Sequence, residues 1–146
     1  SVVPAYKFTS SGLVGDDALD TIFSCEYTKD SDVGTYVITP TDCTFTSGVK
    51  NNYNIEYVNG TLSIYGSSYN KTSKTVKIYS KYDTDIDCYI VSYAENGTLD
   101  GIKKEHCSLK ADKISTIDIS SLKISENDSI KIFLWDNNLT PVEITN

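Results

Sequence analysis

Two runs decide the fold: Gly34-Thr35-Tyr36-Val37-Ile38-Thr39-Pro40, and Asn52-Tyr53-Asn54-Ile55-Glu56-Tyr57-Val58-Asn59-Gly60-Thr61-Leu62-Ser63-Ile64-Tyr65. Apolar and polar residues alternate in both. Tyr36 and Ile38 fall on one face of a strand, Tyr53, Ile55 and Tyr57 on one face of the next, and Leu62 and Ile64 continue beyond Asn59-Gly60. A period of two interrupted by Asn-Gly is the strongest short-range signal for antiparallel pairing, so these residues predict strands joined by a hairpin.

The composition agrees with that reading. Eleven Tyr, four Phe and one Trp occur in 146 residues, with no Met. Tyrosine buries its ring and keeps its hydroxyl wet, which suits half-buried strands, and the abundance of Thr, Ile, Val and Tyr is β-biased. Lys and Arg number 13 against 20 Asp and Glu, a formal charge of −7. A net negative surface with scattered basic residues argues against nucleic acid as a partner. No apolar run approaches the ~18 residues of a membrane span. Ser1-Val2-Val3-Pro4 has neither the charged nor the apolar part of a signal peptide, so the chain is expected to start inside a longer protein.

Outward from the quoted runs, residues 4–13 read as extended, with Tyr6 and Phe8 on one face. Leu19, Ile22 and Phe23 sit at helical spacing behind Asp16, Asp17 and Asp20, which predicts one short helix capped by Asp16. Residues 41–51 read as an irregular loop. Gly66 to Ser73 is small and polar, so residues 67–73 are expected to be a linker between a module at 1–66 and a second at 74–146.

In the second half, Val76 and Ile78 alternate. Ile86, Cys88 and Ile90 share one face of a strand, and Tyr89, Val91 and Tyr93 share the other. Two apolar faces predict a central strand. Ala94 to Thr98 is a hairpin turn, Leu99 to Leu109 the return strand, Ser115 to Leu122 contains another, and Ser129 to Asp136 another still, with Phe133 and Trp135 opposite Ile130, Ile132 and Leu134. Many short strands of this kind predict an antiparallel β-sandwich.

Two resemblances follow. Gly12-Leu13-Val14-Gly15-Asp16-Asp17, Asp32-Val33-Gly34-Thr35-Tyr36-Val37-Ile38-Thr39-Pro40, and the run from Asn52 to Ile64 resemble the MBG family, repeat modules of large bacterial surface and secreted proteins. The similarity covers about residues 3–65. It implies a small, mostly β fold with one short helix, β-grasp-like, and no catalytic residues. Family members usually carry a further strand upstream with a Tyr-Gly pair; this sequence starts after that point, so the first module is expected to be slightly truncated. The second half is similar to a module at the C-terminal end of clostridial and related secreted proteins, through Ile90-Val91-Ser92-Tyr93, Asn96-Gly97, Leu99, Ile132-Phe133-Leu134-Trp135-Asp136 and Leu139, Pro141, Val142. That resemblance implies a fibronectin type III-like or immunoglobulin-like sandwich.

Candidate chemistry is sparse. Cys25, Cys43, Cys88 and Cys107 lack the spacing of zinc ligands. They read either as one disulfide in each half or as four free thiols. A hairpin centred between Gly97 and Thr98 would set Cys88 opposite Cys107, with β-carbons about 4.5–5.5 Å apart, close to bridging distance. His106 stands beside Cys107, but neighbours on a strand point to opposite faces, so no Cys-His nucleophile is expected. Asp83, Asp85 and Asp87 alternate and read as a solvated strand edge rather than a calcium site. The sequons at Asn59, Asn70, Asn96, Asn127 and Asn138 follow from Asn-Gly turns and Ser/Thr-rich loops. Lys–Asn isopeptide bonds of Gram-positive stalks need a buried Lys, Asn and acid together, and the sequence places no such triplet. Tyr65, Tyr69, Tyr79 and Tyr82 are the candidates for a ligand platform, at the groove between the modules. The expectation is therefore a non-catalytic structural or adhesive module pair of a bacterial surface or secreted protein, monomeric within a longer chain, without cofactor or metal. The alternative is a module that binds a glycan or host protein through that groove.

Overall fold

The computed structural model describes residues 5–145; residues 1–4, read above as no signal peptide, and residue 146 lie outside it. The described chain is nearly all β. It divides into two compact units: one reaches to Ser31 and resumes over Thr35–Ser63, the other takes Asp32–Gly34 and continues from Ile64.

The first unit is built on a three-stranded sheet of order β1-β2-β3, with β1 Ala18–Ser24, β2 Gly34–Ser47 and β3 Gly60–Ile64. The helix expected over 16–23 is β1 instead. Leu19, Thr21 and Phe23 are half-buried while the residues between them are exposed, Ile22 at 62%. Leu19 and Phe23 lie four apart and suit either period, but the adjacent β-branched Thr21 and Ile22 favour a strand. The only helical turn among the described residues is the 3-10 turn Lys50–Asn52. The stretch 41–51, expected to be an irregular loop, carries β2 on to Ser47. Pro40, which has no N–H to give, sits where the β1–β2 register shifts, as proline inside a sheet must.

The hairpin expected at Asn59-Gly60 does not form. A type I′ turn needs positive φ at both central residues, and neither residue has it. Tyr53 and Ile55 keep their alternation and stay half-buried outside any strand, with Tyr53 stacked on Phe45 at 5.1 Å. Packing accounts for the period of two here, without backbone pairing.

The second unit is a sandwich. β4 (Gly66–Asn70), β5 (Thr75–Tyr79) and β8 (Ile114–Asp118) form one sheet, in the order β4-β5-β8. β7 (Leu99–Leu109), β6 (Thr84–Tyr93) and β9 (Ser129–Trp135) form the other, in the order β7-β6-β9, and all pairings are antiparallel. Val76 and Ile78 from one sheet meet Ile86, Cys88 and Ile90 from the other, with Leu109, Ile117, Ile119 and Ile144 closing the core. Each fully buried aliphatic side chain of this set contributes roughly 1.5–3 kcal/mol of transfer free energy. As expected, β6 is the central strand of its sheet.

The stretch 67–73, expected as a linker, is mostly β4 and its turn. Tyr69 is its one large apolar side chain and packs against the core. Ser68 on the other face accepts the Val33 N–H at 3.2 Å and donates to Asp32 at 3.1 Å, while Asn70 Oδ1 accepts the Ser73 N–H at 3.0 Å. Small polar residues here serve an edge strand and its turn, and composition alone does not separate that from a loop.

All four cysteines are free thiols. In the β6–β7 hairpin Cys88 faces Glu105 and Cys107 faces Ile86. The turn closes from Ala94 to Thr98, by the Ala94 N–H to Thr98 O bond at 2.9 Å, and a bulge between Ser92 and Tyr93 sets the remaining register. The two cysteines are thus diagonal neighbours, about 7–8 Å apart at Cα and beyond bridging distance. Cys43 pairs with Thr21, four positions along β1 from Cys25, which at about 3.3 Å per residue is roughly 13 Å. Intact mass under non-reducing conditions should equal that of the fully reduced chain, and alkylation in denaturant should add four groups. A mass lighter by two or four hydrogens would contradict this register.

Candidate functional site

The four tyrosines proposed as a platform occupy different environments. Tyr79 is 3% exposed and lies stacked under Tyr65, centroids 4.9 Å apart and planes within 7°. The Tyr65 hydroxyl donates to Asp112 Oδ1 at 2.7 Å. Tyr69 packs on the core with its hydroxyl buried and unbonded. Of the four, Tyr82 alone is well exposed, at 47%, with the Lys81 ammonium 5.9 Å from its ring. Burial takes up Tyr69 and Tyr79, Tyr65 is half-buried over Tyr79, and Tyr82 is open to solvent.

The aspartates also separate. Asp83 precedes β6 and accepts from the Ala111 N–H at 2.8 Å and Lys110 Nζ at 3.0 Å. Asp85 is exposed on β6. Asp87, nearly buried, receives Lys104 Nζ at 2.7 Å and faces His106 Nδ1 at 3.1 Å. Lysines thus neutralise two of the three. Among the described residues no group of three or more His, Cys, Asp or Glu side chains is placed to hold a metal ion. His106 turns to Asp87, away from Cys107. Burial raises the Cys107 thiol pKa, with Glu105 and Asp87 adding to it, and burial pushes the Cys88 thiol up to about 12, which leaves both weak nucleophiles.

The Lys104 hydrogen bond, followed by that of His106, holds the Asp87 carboxyl below its usual range. The Lys77 ammonium at 2.7 Å does the same for Asp32, and the Ala111 N–H for Asp83. A depressed folded pKa means that the unfolded chain binds the proton first. The stability from these groups is therefore present above about pH 4 and lost as pH falls through the lowered values. Urea midpoints should hold steady from pH 7 to about 5 and drop in more acid solution, and Asp87→Asn should flatten that drop.

A different surface stands out. Alternation along β6 turns Asp87, Tyr89, Val91 and Tyr93 away from the core. The registers place His106, Lys104 and Ile102 of β7 beside the first three, and Trp135, Phe133 and Lys131 of β9 on their other flank. Across the sheet the rows read His106–Asp87–Trp135, Lys104–Tyr89–Phe133 and Ile102–Val91–Lys131. The Trp135 ring lies 5.1 Å from Tyr89, tilted by 50°, and 6.0 Å from Phe133. Lys104 Nζ stands 5.4 Å from the Tyr89 centroid, and Lys131 Nζ 5.2 Å from that of Tyr93. The sequence carried the apolar half of this surface in Tyr89, Val91, Tyr93, Phe133 and Trp135. The lysines enter only through register. In the first unit, a hollow of about 480 Å³ lies over the sheet between Leu19, Phe23, Ile38, Phe45 and Ile55, the half-covered inner face of a small module.

The family model of the MBG domain (YGX type) matches residues 1–63. No curated protein and no solved structure matches the chain. No helix among the described residues is long and apolar enough to cross a membrane.

Proposed function

We propose that the chain is a non-catalytic pair of structural or adhesive modules from a bacterial cell-surface or secreted protein, serving as a spacer or stalk. The observation that carries this reading is the MBG match over residues 1–63, a family of surface and secreted modules, followed directly by a second β unit. The strand order of that unit supports an immunoglobulin- or fibronectin-like module of the type found in clostridial secreted proteins. Its first, second and fifth strands share one sheet, and its third and sixth the other, as A, B, E and C, F do in immunoglobulin domains. Antibody labelling and protease shaving of intact cells test the location, with the chain expected outside the cell or in the medium; confinement to the cytosol would overturn it. Replacing residues 1–146 in the parent by an unrelated β-module pair of equal length tests the spacer role. Preserved parent activity is expected, and loss of activity would refute the role.

A second reading, binding of a glycan or host protein, is favoured by one observation. The outward face of β7-β6-β9 carries Trp135, Phe133, Tyr89 and Tyr93 in one field, where an exposed sheet face ordinarily carries polar residues.

A further inference from the structure

We infer that the outward face of the β7-β6-β9 sheet binds an acidic glycan, a chain of sugar rings bearing carboxylates, through Trp135, Phe133 and Tyr89 as stacking surfaces and Lys131 as the cation. The inference rests on the binding reading above and leaves the spacer role untouched.

Size argues for a sugar chain over a protein. Three strands about 4.8 Å apart and four outward rows at two residues each give a field of roughly 400 Å². A stable protein partner buries about 800 Å² per side. A linear oligosaccharide is narrow, and a field of this shape covers several of its rings.

The rings supply the apolar part. Trp135 is tilted by 50° to Tyr89 and by 53° to Phe133, so the three half-buried rings form a faceted surface and not one flat sheet. The C–H face of a pyranose is apolar and weakly positive, which suits the negative face of an aromatic ring. Aromatic residues with a polar handle recur where a ligand is half apolar and half wet.

Charge selects the acidic class. The whole chain carries −7, yet the field around these rings holds two lysines against one carboxylate, and the Lys104–Asp87 pair leaves Lys131 as the surplus charge. Asp87, the carboxylate in its rows, is 12% exposed at its side chain and already engaged by Lys104 and His106. Lys131 is in none of the ion pairs among the described residues; its partner is the Tyr93 ring. A cation held over a ring without a carboxylate is ready for an anionic ligand. Sugar carboxylates beside stacked rings meet that need, and a neutral glycan does not.

The test uses the full chain and short oligomers of galacturonic acid, with neutral galactose oligomers as the comparison. Trp135 is the sole tryptophan, so its emission reports the site directly. Galacturonate oligomers are expected to shift or quench that emission saturably, and neutral oligomers to bind at least tenfold more weakly. Calorimetry on Trp135→Ala should show at least a tenfold loss. Lys131→Glu, on an exposed side chain that leaves the fold intact, should lose as much for the acidic oligomer and nothing for the neutral one. Tyr82→Ala should change neither. Raising salt from 50 to 500 mM should weaken acidic binding, because exposed charges are screened. The inference is overturned if emission does not move at millimolar galacturonate, if neutral and acidic oligomers bind alike, or if Lys131→Glu has no effect. Self-association abolished by Trp135→Ala would also overturn it, by assigning the face to a second copy. None of these failures bears on cell-surface labelling, so the two readings fall separately.

Discussion

Ile90→Asp is expected to unfold the second unit. Ile90 is fully buried at the centre of β6, between Ile132 and Lys103 in the register and within the inter-sheet core. An aspartate there loses the apolar contact and leaves a carboxylate with no partner. Such a group ionises only at great cost, or protonates and still lacks a full set of hydrogen bonds. The loss should exceed about 4 kcal/mol, comparable with the whole stability of a small domain. Ile102→Asp is the matching control, on the outward face of β7 and 58% exposed. Its cost should stay within about 0.5 kcal/mol. Near-ultraviolet circular dichroism and urea denaturation read both. Equal effects would mean that the sheet faces are assigned the wrong way round.

The second large effect concerns volume alone. Ile78, also fully buried, projects from β5 toward Ile86, Cys88 and Ile90. Ile78→Ala removes three carbons from a packed interior and should cost about 3–4 kcal/mol, part transfer and part residual cavity. Ile78→Val removes one carbon and should cost about 1 kcal/mol. The urea midpoint should fall in that order with unchanged m-value. A cost below about 1 kcal/mol for the alanine variant would show that the two sheets do not close on each other around this residue.

The second unit was the more legible half. Ile86, Cys88 and Ile90 against Tyr89, Val91 and Tyr93 mark a strand covered on both faces, and β6 occupies the middle of its sheet. Its register was harder to read. Side chains alternate with a period of two, so slipping β7 by two residues keeps every side chain on its face. The apolar pattern cannot separate Cys88 opposite Cys107 from Cys88 opposite Glu105. The turn at Ala94–Thr98 and the bulge at Ser92 make that choice. The same slip decides whether Lys104 lies beside Tyr89, so the apolar pattern marks the aromatic half of the outward field and not its lysines.

In the first unit the conflict is between periods. Leu19, Ile22 and Phe23 satisfy a helix, and Leu19, Thr21 and Phe23 satisfy a strand. Sheet pairing with β2 settles it and leaves Ile22 in solvent. Tyr53, Ile55 and Tyr57 alternate as a strand would, yet none joins the sheet: Tyr53 and Ile55 are half-buried and Tyr57 is 40% exposed. Alternation reports burial on one side of an extended chain, and hydrogen bonding is a separate matter.

From Asp87 to Tyr93, β6 is bonded on both flanks, to β7 and to β9. Amide protons there cannot reach water by fraying at an edge; they need the sheet itself to come apart. They should be the last in the second unit to exchange with deuterium, at a rate that reports global opening, while amides of the edge strand β4 exchange earlier through local opening. The strand that carries Tyr89 beneath the proposed sugar site is thus also the unit's slowest clock, and a ligand held there would act on the most rigid backbone this module has.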